Sequence, residues 1–130
     1  MYDSIINEHK AVRESSGVFD ISHMGQLFVS GGNASKWLEG LLTNEVATLE
    51  PGNAHYTFLL NEAGGVIDDL ILYRLAEEHF LLVVNASCIE QDVEWLGKHL
   101  EKGITLENES SEWAGLAVQG PRTPEIYTTI

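Results

Sequence analysis

The sequence predicts an α+β fold, a mainly antiparallel sheet with flanking helices on one face. Two patterns carry this reading. Several β-rich segments follow one another directly instead of alternating singly with helices, and two of them, "HYTFLL" and "VIDDLILYRL", flank Asn61-Glu62-Ala63-Gly64-Gly65, a connection of hairpin length and composition. The third observation is length. A chain of 130 residues without repeats, low-complexity tracts or linkers is one domain by size, able to bury roughly two thirds of its unfolded surface.

The elements follow in order. "YDSIINEHKAVRESSG" offers Asp3 or Ser4 as N-cap, Ile5, Ile6, His9 and Val12 near helical spacing, and Gly17 as a stop, which predicts a short amphipathic helix. "VFDISHMGQLFVSG" has β-formers at both ends of a polar middle, so a single strand is expected, irregular near Gly25 and ending at Gly31-Gly32. "NASKWLEGLLTNEV" sets Trp37, Leu38, Leu41 and Leu42 on one helical stripe behind a capping Asn33 or Ser35, and Pro51-Gly52 closes the next loop.

After the hairpin, whose glycines suit positive φ, "FLLVV" over 80–84 reads as a short buried strand. "NASCIEQDVEWLGKHLEKG" is the clearest helix. Ser87 and Glu90 have capping-box spacing, and Ile89, Val93, Leu96 and Leu100 recur at three or four. "ITLENES" and "WAGLAVQG" read as strands, and Pro121 suits the first turn of a helix that has hardly begun at Ile130, so the chain reads as cut rather than finished.

Charge narrows the partners. Twenty acidic residues against seven basic ones give a net charge of −13, which opposes phosphate backbones and anionic lipid surfaces, so neither nucleic acid nor membrane is expected as a partner. The single cysteine, Cys88, excludes an internal disulfide and any multi-cysteine metal site. With no apolar run of membrane-spanning length and no signal peptide at Met1-Tyr2-Asp3, a cytoplasmic or matrix-like location is expected.

The residues most in need of explanation are Asp68 and Asp69, adjacent carboxylates inside a strand that otherwise reads as buried. Strand alternation sends Asp68 to one face with Leu70 and Leu72, and Asp69 to the other with Ile67, Ile71 and Tyr73. An ionised carboxylate among aliphatic side chains requires a structural partner or a ligand, and spacing leaves both open. "DISHMGQ" offers Asp20 and His23 for acid–base work, against a bland reading as a polar kink with Met24 filling a gap. Five scattered histidines give little signal for metal, and no Gly-x-Ser-x-Gly, phosphate loop or HExxH is present. Asn33, Asn85 and Asn108 begin sequons but read as caps or loop residues. Tyr56 and Tyr73, on the two arms of the hairpin, either bracket a flat ligand or belong to the core.

Together "EHKAVRESSGVFDISHMGQ", "LLTNEVATLEPGNAHYTFLLNEAGGVIDDLILYRL", "FLLVVNAS" and "AVQGP" resemble, in the same order, the aminomethyltransferase of the glycine cleavage system, the T-protein. The resemblance runs over essentially the whole chain. It implies an enzyme that takes the aminomethyl group from the lipoyl arm of the H-protein, passes the one-carbon unit to tetrahydrofolate as acceptor substrate, releases ammonia and forms methylenetetrahydrofolate. By that resemblance Asp69 matches the functional carboxylate, and Met24, Tyr56, Tyr73 and Asn85 match folate-contacting positions.

Family members normally carry a segment before the first helix here and continue through more of the folate-binding region into a barrel-like domain. Residues 1–130 are therefore expected to form the N-terminal part of the folate-binding aminomethyltransferase domain, inactive alone. An uncovered sheet edge or apolar face then predicts dimerisation or low stability of this piece. Asn44-Glu45 stands where an Asn-Asp is common. Two readings stand beside this one: the tetrahydrofolate domain of a dimethylglycine or sarcosine dehydrogenase or related assembly factor, and a folate-binding module without catalysis.

Overall fold

The computed structural model describes residues 2–129. In chain order it contains α1 (Ile5–Glu14), β1 (Gly17–Asp20), β2 (Gly25–Gly31), α2 (Ala34–Glu39), β3 (Ala54–Leu60), β4 (Val66–Ala76), β5 (His79–Val84), α3 (Ile89–Lys98), β6 (Ile104–Asn108), β7 (Leu116–Gln119) and α4 (Thr123–Tyr127). These form two compact units. A terminal unit comprises the residues up to Ser22 and those from Ala114 onward, and a central unit spans His23–Trp113.

In the terminal unit β1 and β7 form a two-stranded antiparallel sheet, with Gly17 opposite Gln119 and Asp20 opposite Leu116. Ser4 caps α1 as expected, its hydroxyl accepting from the Asn7 N–H at 3.2 Å. The amphipathic packing does not follow: α1 buries none of its side chains, and Ile5 and Ile6 are 77% and 67% exposed. Adjacent residues on a helix diverge in direction, so this pair does not make a stripe. The helix also stops before Gly17, with Ser15 as C-cap.

The single strand expected over "VFDISHMGQLFVSG" is two strands in two sheets. Asp20 ends the first: its Oδ1 accepts from the Ser22 N–H at 2.9 Å and the Ser22 hydroxyl at 2.6 Å, a local turn that replaces ladder bonds. Gly25 opens the second. A Cβ there would lie 2.5 Å from Val84 Cγ2 and 2.7 Å from Ile89 Cγ1, so the irregularity near Gly25 reflects close approach of β5 and the start of α3. At the other end of the chain, Pro124 rather than Pro121 occupies the first turn of α4.

The central unit is a five-stranded antiparallel sheet in the order β3-β4-β5-β2-β6. The hairpin forms where the sequence places it. The Asn61 side-chain oxygen accepts from the Ala63 and Gly65 N–H groups, and Gly64 alone of the two glycines takes a positive φ, +80°. One sheet face is apolar: Leu27 and Val29 of β2, Leu59 of β3, Leu70 and Leu72 of β4 and Phe80, Leu82 and Val84 of β5 are all buried. They pack with Trp37 and Leu38 of α2, Leu96 of α3 and Val46 and Leu49 of the intervening loop in one cluster. Both helices thus cover one face, as expected for this fold class.

Both helix starts differ from expectation in detail. Asn33 is the α2 N-cap but makes no side-chain cap bond, and the Ser35 N–H is satisfied by Glu78 Oε2 at 2.9 Å, from the β4–β5 turn. The helix ends at Glu39, so Leu41 and Leu42 lie beyond it, although Leu42 stays buried through a bridge to Leu59. Cys88, not Ser87, is the N-cap of α3, which puts Ser87 one residue outside the capping box and its hydroxyl beside the Cys88 sulfur. Leu100, beyond the last turn of α3, is exposed rather than buried.

Leu82 sits fully buried on β5, between β4 and β2. Truncation of Leu82 to alanine is expected to lower the unfolding free energy by about 2–5 kcal/mol in a urea titration. A loss below about 1 kcal/mol would contradict its place in the core.

Candidate ligand site on the open sheet face

The second face of the central sheet is built by alternation from the same strands. On β4, Asp68, Leu70 and Leu72 are buried, whereas Ile71 and Tyr73 are exposed and Asp69 is half-buried on their side. The two aspartates therefore face opposite ways, as strand geometry demands. On β3 the open face carries Tyr56, 54% exposed, and Phe58, whose rings meet edge to face at a centroid distance of 5.3 Å.

Register and hydrogen bonds bring three of the five expected site residues together, Tyr56, Asp69 and Asn85. Phe58 lies opposite Asp69, and Tyr56 opposite Ile71. Ile71 in turn pairs with Val83, so the same antiparallel count places Asp69 across from Asn85, immediately after β5. Gly25 pairs with Val84, so Met24 lies just before β2 and Asn85 just after β5, at the same end of that pair. Phe58 and Asp69 thus stand in one row with Asn85 beside them, and Tyr56 stands in the next. Tyr73, 37% exposed, shares the face but stands two rows along, opposite Ala54 and Leu81.

Hydrogen bonds fix the centre of this cluster. Tyr56 donates its phenol O–H to Asp69 Oδ2 at 2.7 Å. The Asn85 side-chain amide donates to the Asp69 carbonyl at 2.9 Å and to Asp69 Oδ1 at 3.3 Å. Both oxygens of the Asp69 carboxyl thus hold a donor, while the side chain stays at the surface of the sheet. Bonding to Asp69 pushes the Tyr56 phenol above its ordinary range, with desolvation and the charges of Asp69 and Asp68 adding to the shift.

On the covered face Asp68 has a structural partner. Asn85 donates its backbone N–H to Asp68 Oδ2 at 3.0 Å and its amide N–H to Oδ1 at 2.8 Å. Burial by itself would raise the Asp68 carboxyl, but the Asn85 donors, with Asp92 and Cys88, hold it below the usual carboxylate range. Sequence reasoning correctly separated the aspartates but did not foresee that one asparagine serves both. It also missed Asp92. The signal was present, because Asp92 falls three residues after Ile89 and four before Leu96, within the apolar stripe of α3.

Other expected features fall outside this cluster. Asp20 is engaged in its turn with Ser22, whereas His23 is exposed. Asn108 accepts from the Ser110 N–H and hydroxyl in a loop. Among the described residues no group of three or more His, Cys, Asp or Glu is placed to hold a metal ion, and no helix is long and apolar enough to cross a membrane. A groove of about 500 Å³ lies in the terminal unit, lined by Ser15, Ser16, Arg122 and Glu125 among others. It contains none of the expected site residues, and the Asp69 face is an open sheet surface with its chemistry in a row of side chains.

Fold and site together define a class: an antiparallel α+β protein that presents a hydrogen-bonded carboxylate among aromatic side chains on an open sheet face. The chain belongs to the family described as the GCVT N-terminal domain, which matches residues 1–130. It is 47% identical over 130 residues to an aminomethyltransferase of Chloroherpeton thalassium, covering 99% of this chain and 36% of that protein. An aminomethyltransferase of Bacillus velezensis is 48% identical over 129 residues, covering 99% and 35%. The crystal structure of glycine cleavage system aminomethyltransferase T from Bartonella henselae superposes with a TM-score of 0.85 at 36% identity, covering 97% of this chain and 35% of that one. The chain spans about a third of the length of the curated relatives it matches.

Ultraviolet titration of the tyrosines is expected to show one phenol ionising above the others, and Asp69→Asn is expected to return it toward the ordinary range. An unchanged titration in that variant would mean that Tyr56 and Asp69 are not bonded in solution.

Proposed function

We propose that this chain supplies the folate-binding sheet of a tetrahydrofolate-dependent aminomethyltransferase of glycine cleavage. Asp69 is the functional carboxylate, and Met24, Tyr56, Tyr73 and Asn85 are the folate-contacting residues. The observation that carries this reading is the Asp69 carboxyl, held by Tyr56 and Asn85 at the surface of an aromatic sheet face, in a family whose relatives are named aminomethyltransferases.

The chemistry suits the arrangement. A pteridine is flat and carries N–H donors, so it can lie against exposed Tyr56 and Tyr73 while donating to the carboxylate. Held there, the folate nitrogen is placed to attack the aminomethyl carbon carried on the lipoyl sulfur of an H-protein. The carbon–sulfur bond breaks and the lipoyl sulfur leaves as the free thiol with one proton from the folate nitrogens, ammonia leaves the same carbon with the other, and the one-carbon unit bridges the two folate nitrogens as methylenetetrahydrofolate. Asp69 contributes by orienting the nucleophilic nitrogen and by easing proton movement as the amine departs. Partners of the whole protein are then tetrahydrofolate and a lipoyl-bearing H-protein, in a cytoplasmic or matrix setting.

Titration of the 130-residue chain with tetrahydrofolate, followed by Tyr and Trp fluorescence, tests the reading. Saturable binding is expected, weakened about 10- to 100-fold in Asp69→Asn through loss of hydrogen bonds to a charged acceptor. Binding that the variant leaves unchanged would remove Asp69 from the site.

A further inference from the structure

Behind Asp69, on the covered side of the sheet, two carboxyls meet. Asp92 of α3 is 0% exposed and Asp68 of β4 is 4% exposed. Asp68 has both oxygens occupied by Asn85 donors. Asp92 has none: neither of its carboxyl oxygens receives an N–H or O–H from any described residue. Its backbone N–H is spent within α3, on the Cys88 carbonyl at 2.8 Å. α3 packs against β4, and the Asp92 and Asp68 carboxyls act on each other across that packing.

A fully buried carboxylate with no donor, beside a second carboxylate, is an unstable arrangement unless one of the two is neutral. The hydrogen bonds decide which. Asp68 is already stabilised as an anion by two N–H groups, so the proton belongs on Asp92, where it also supplies the missing hydrogen bond. We propose that Asp92 is a positioning residue for the Asp69 site, protonated in the folded protein and donating its carboxyl O–H to Asp68. It thereby fixes Asp68 against Asn85, and through Asn85 fixes Asp69. The link to function rests on the folate reading of Asp69; the protonation of Asp92 does not.

The surroundings support this placement of the proton. Burial first, then Asp68, pushes the Asp92 carboxyl up to about 8. Asp68 is the charged group acting on Asp92, and Cys88, just before α3, faces Asp68 as well. The flanking strands turn apolar Leu82, Val84, Ile104 and Leu106 to this layer. The two carboxyls act oppositely with pH. Asp92 binds its proton more tightly folded than unfolded, so its contribution to stability is full below the ordinary carboxylate range and fades as pH rises toward about 8. Asp68, shifted down, contributes above its ordinary value and loses that contribution in acid.

Carbon-13 NMR of the chain labelled at the aspartate carboxyls tests both parts. One carboxyl is expected to remain protonated at neutral pH, to titrate near 8 and to vanish from the spectrum of Asp92→Asn. The Asp69 signal should shift in step with that titration in the parent chain and not in the variant. Asp92→Asn keeps a donor but cannot ionise, so tetrahydrofolate affinity should lose its fall above about 8 in that variant, whereas Asp92→Leu should weaken affinity at every pH. All aspartates ionised at neutral pH, or an Asp69 signal indifferent to the high titration, would overturn the proposal. If the parent chain binds no tetrahydrofolate, the folate reading fails, while the Asp69 carbon-13 response still decides whether Asp92 positions it.

Discussion

The side-chain amide of Asn85 touches two consecutive residues that strand geometry sends to opposite faces of the sheet, and the site depends on it. It can do so because it lies just past the end of β5, where it is no longer confined to the pleat. From there it donates to Asp68 on the covered side and to the backbone and carboxyl of Asp69 on the open side. Its own backbone N–H, freed from the ladder, adds a further bond to Asp68. An alanine at this position would keep the backbone N–H on Asp68 Oδ2 but leave Asp68 Oδ1 without its donor in a buried setting. The expense of burying a carboxylate is thus offset by the same group that orients its neighbour.

This coupling gives the asymmetry of the sheet a purpose. Its covered face excludes water, so any charge there must be matched internally, and Asp68 is matched. Its open face leaves Tyr56, Phe58, Ile71 and Tyr73 exposed, a large apolar and aromatic area around one charged group. Exposed patches of that kind mark surfaces that meet something else. A carboxylate set among them, with both oxygens already oriented, is preorganised: its direction is fixed before a ligand arrives, so little conformational entropy remains to be lost on binding.

Most of the fold was legible because local chemistry and global pattern agree. The hairpin from β3 to β4 has its glycine at the positive-φ position and its asparagine at the turn, and the alternation in "VIDDLILYRL" sorts Asp68 from Asp69 without further information. The failures are equally physical. The break between β1 and β2 was hidden because Asp20 and Ser22 make a side-chain turn within a β-prone stretch, and such turns leave no periodic signature. Ser87 matched a capping box, but α3 begins one residue later, with Asn85 already turning the chain through a bond from the Cys88 N–H to its carbonyl. The meeting of Tyr56, Asp69 and Asn85 was inaccessible to local reading, since it comes from the order β3-β4-β5, a long-range property. Only the family resemblance brought those residues together in the sequence.

The adjacency of the two aspartates also bears on which of them can act on a ligand. Asp68 is buried, and its oxygens are committed to Asn85, so any reaction that required it to change protonation would have to break those bonds in a dry environment. Asp69 is half-buried at the surface. Its bonds run to a phenol that is itself 54% exposed and to an amide shared with Asp68, the latter long at 3.3 Å. Such bonds can be exchanged for those of an incoming N–H donor at little loss, because each is made at the solvent boundary. One motif therefore contains a carboxylate anchored to the segment between β5 and α3 and a second, one residue away, at the surface of the sheet. Their different surroundings, rather than their identical chemistry, set the two apart.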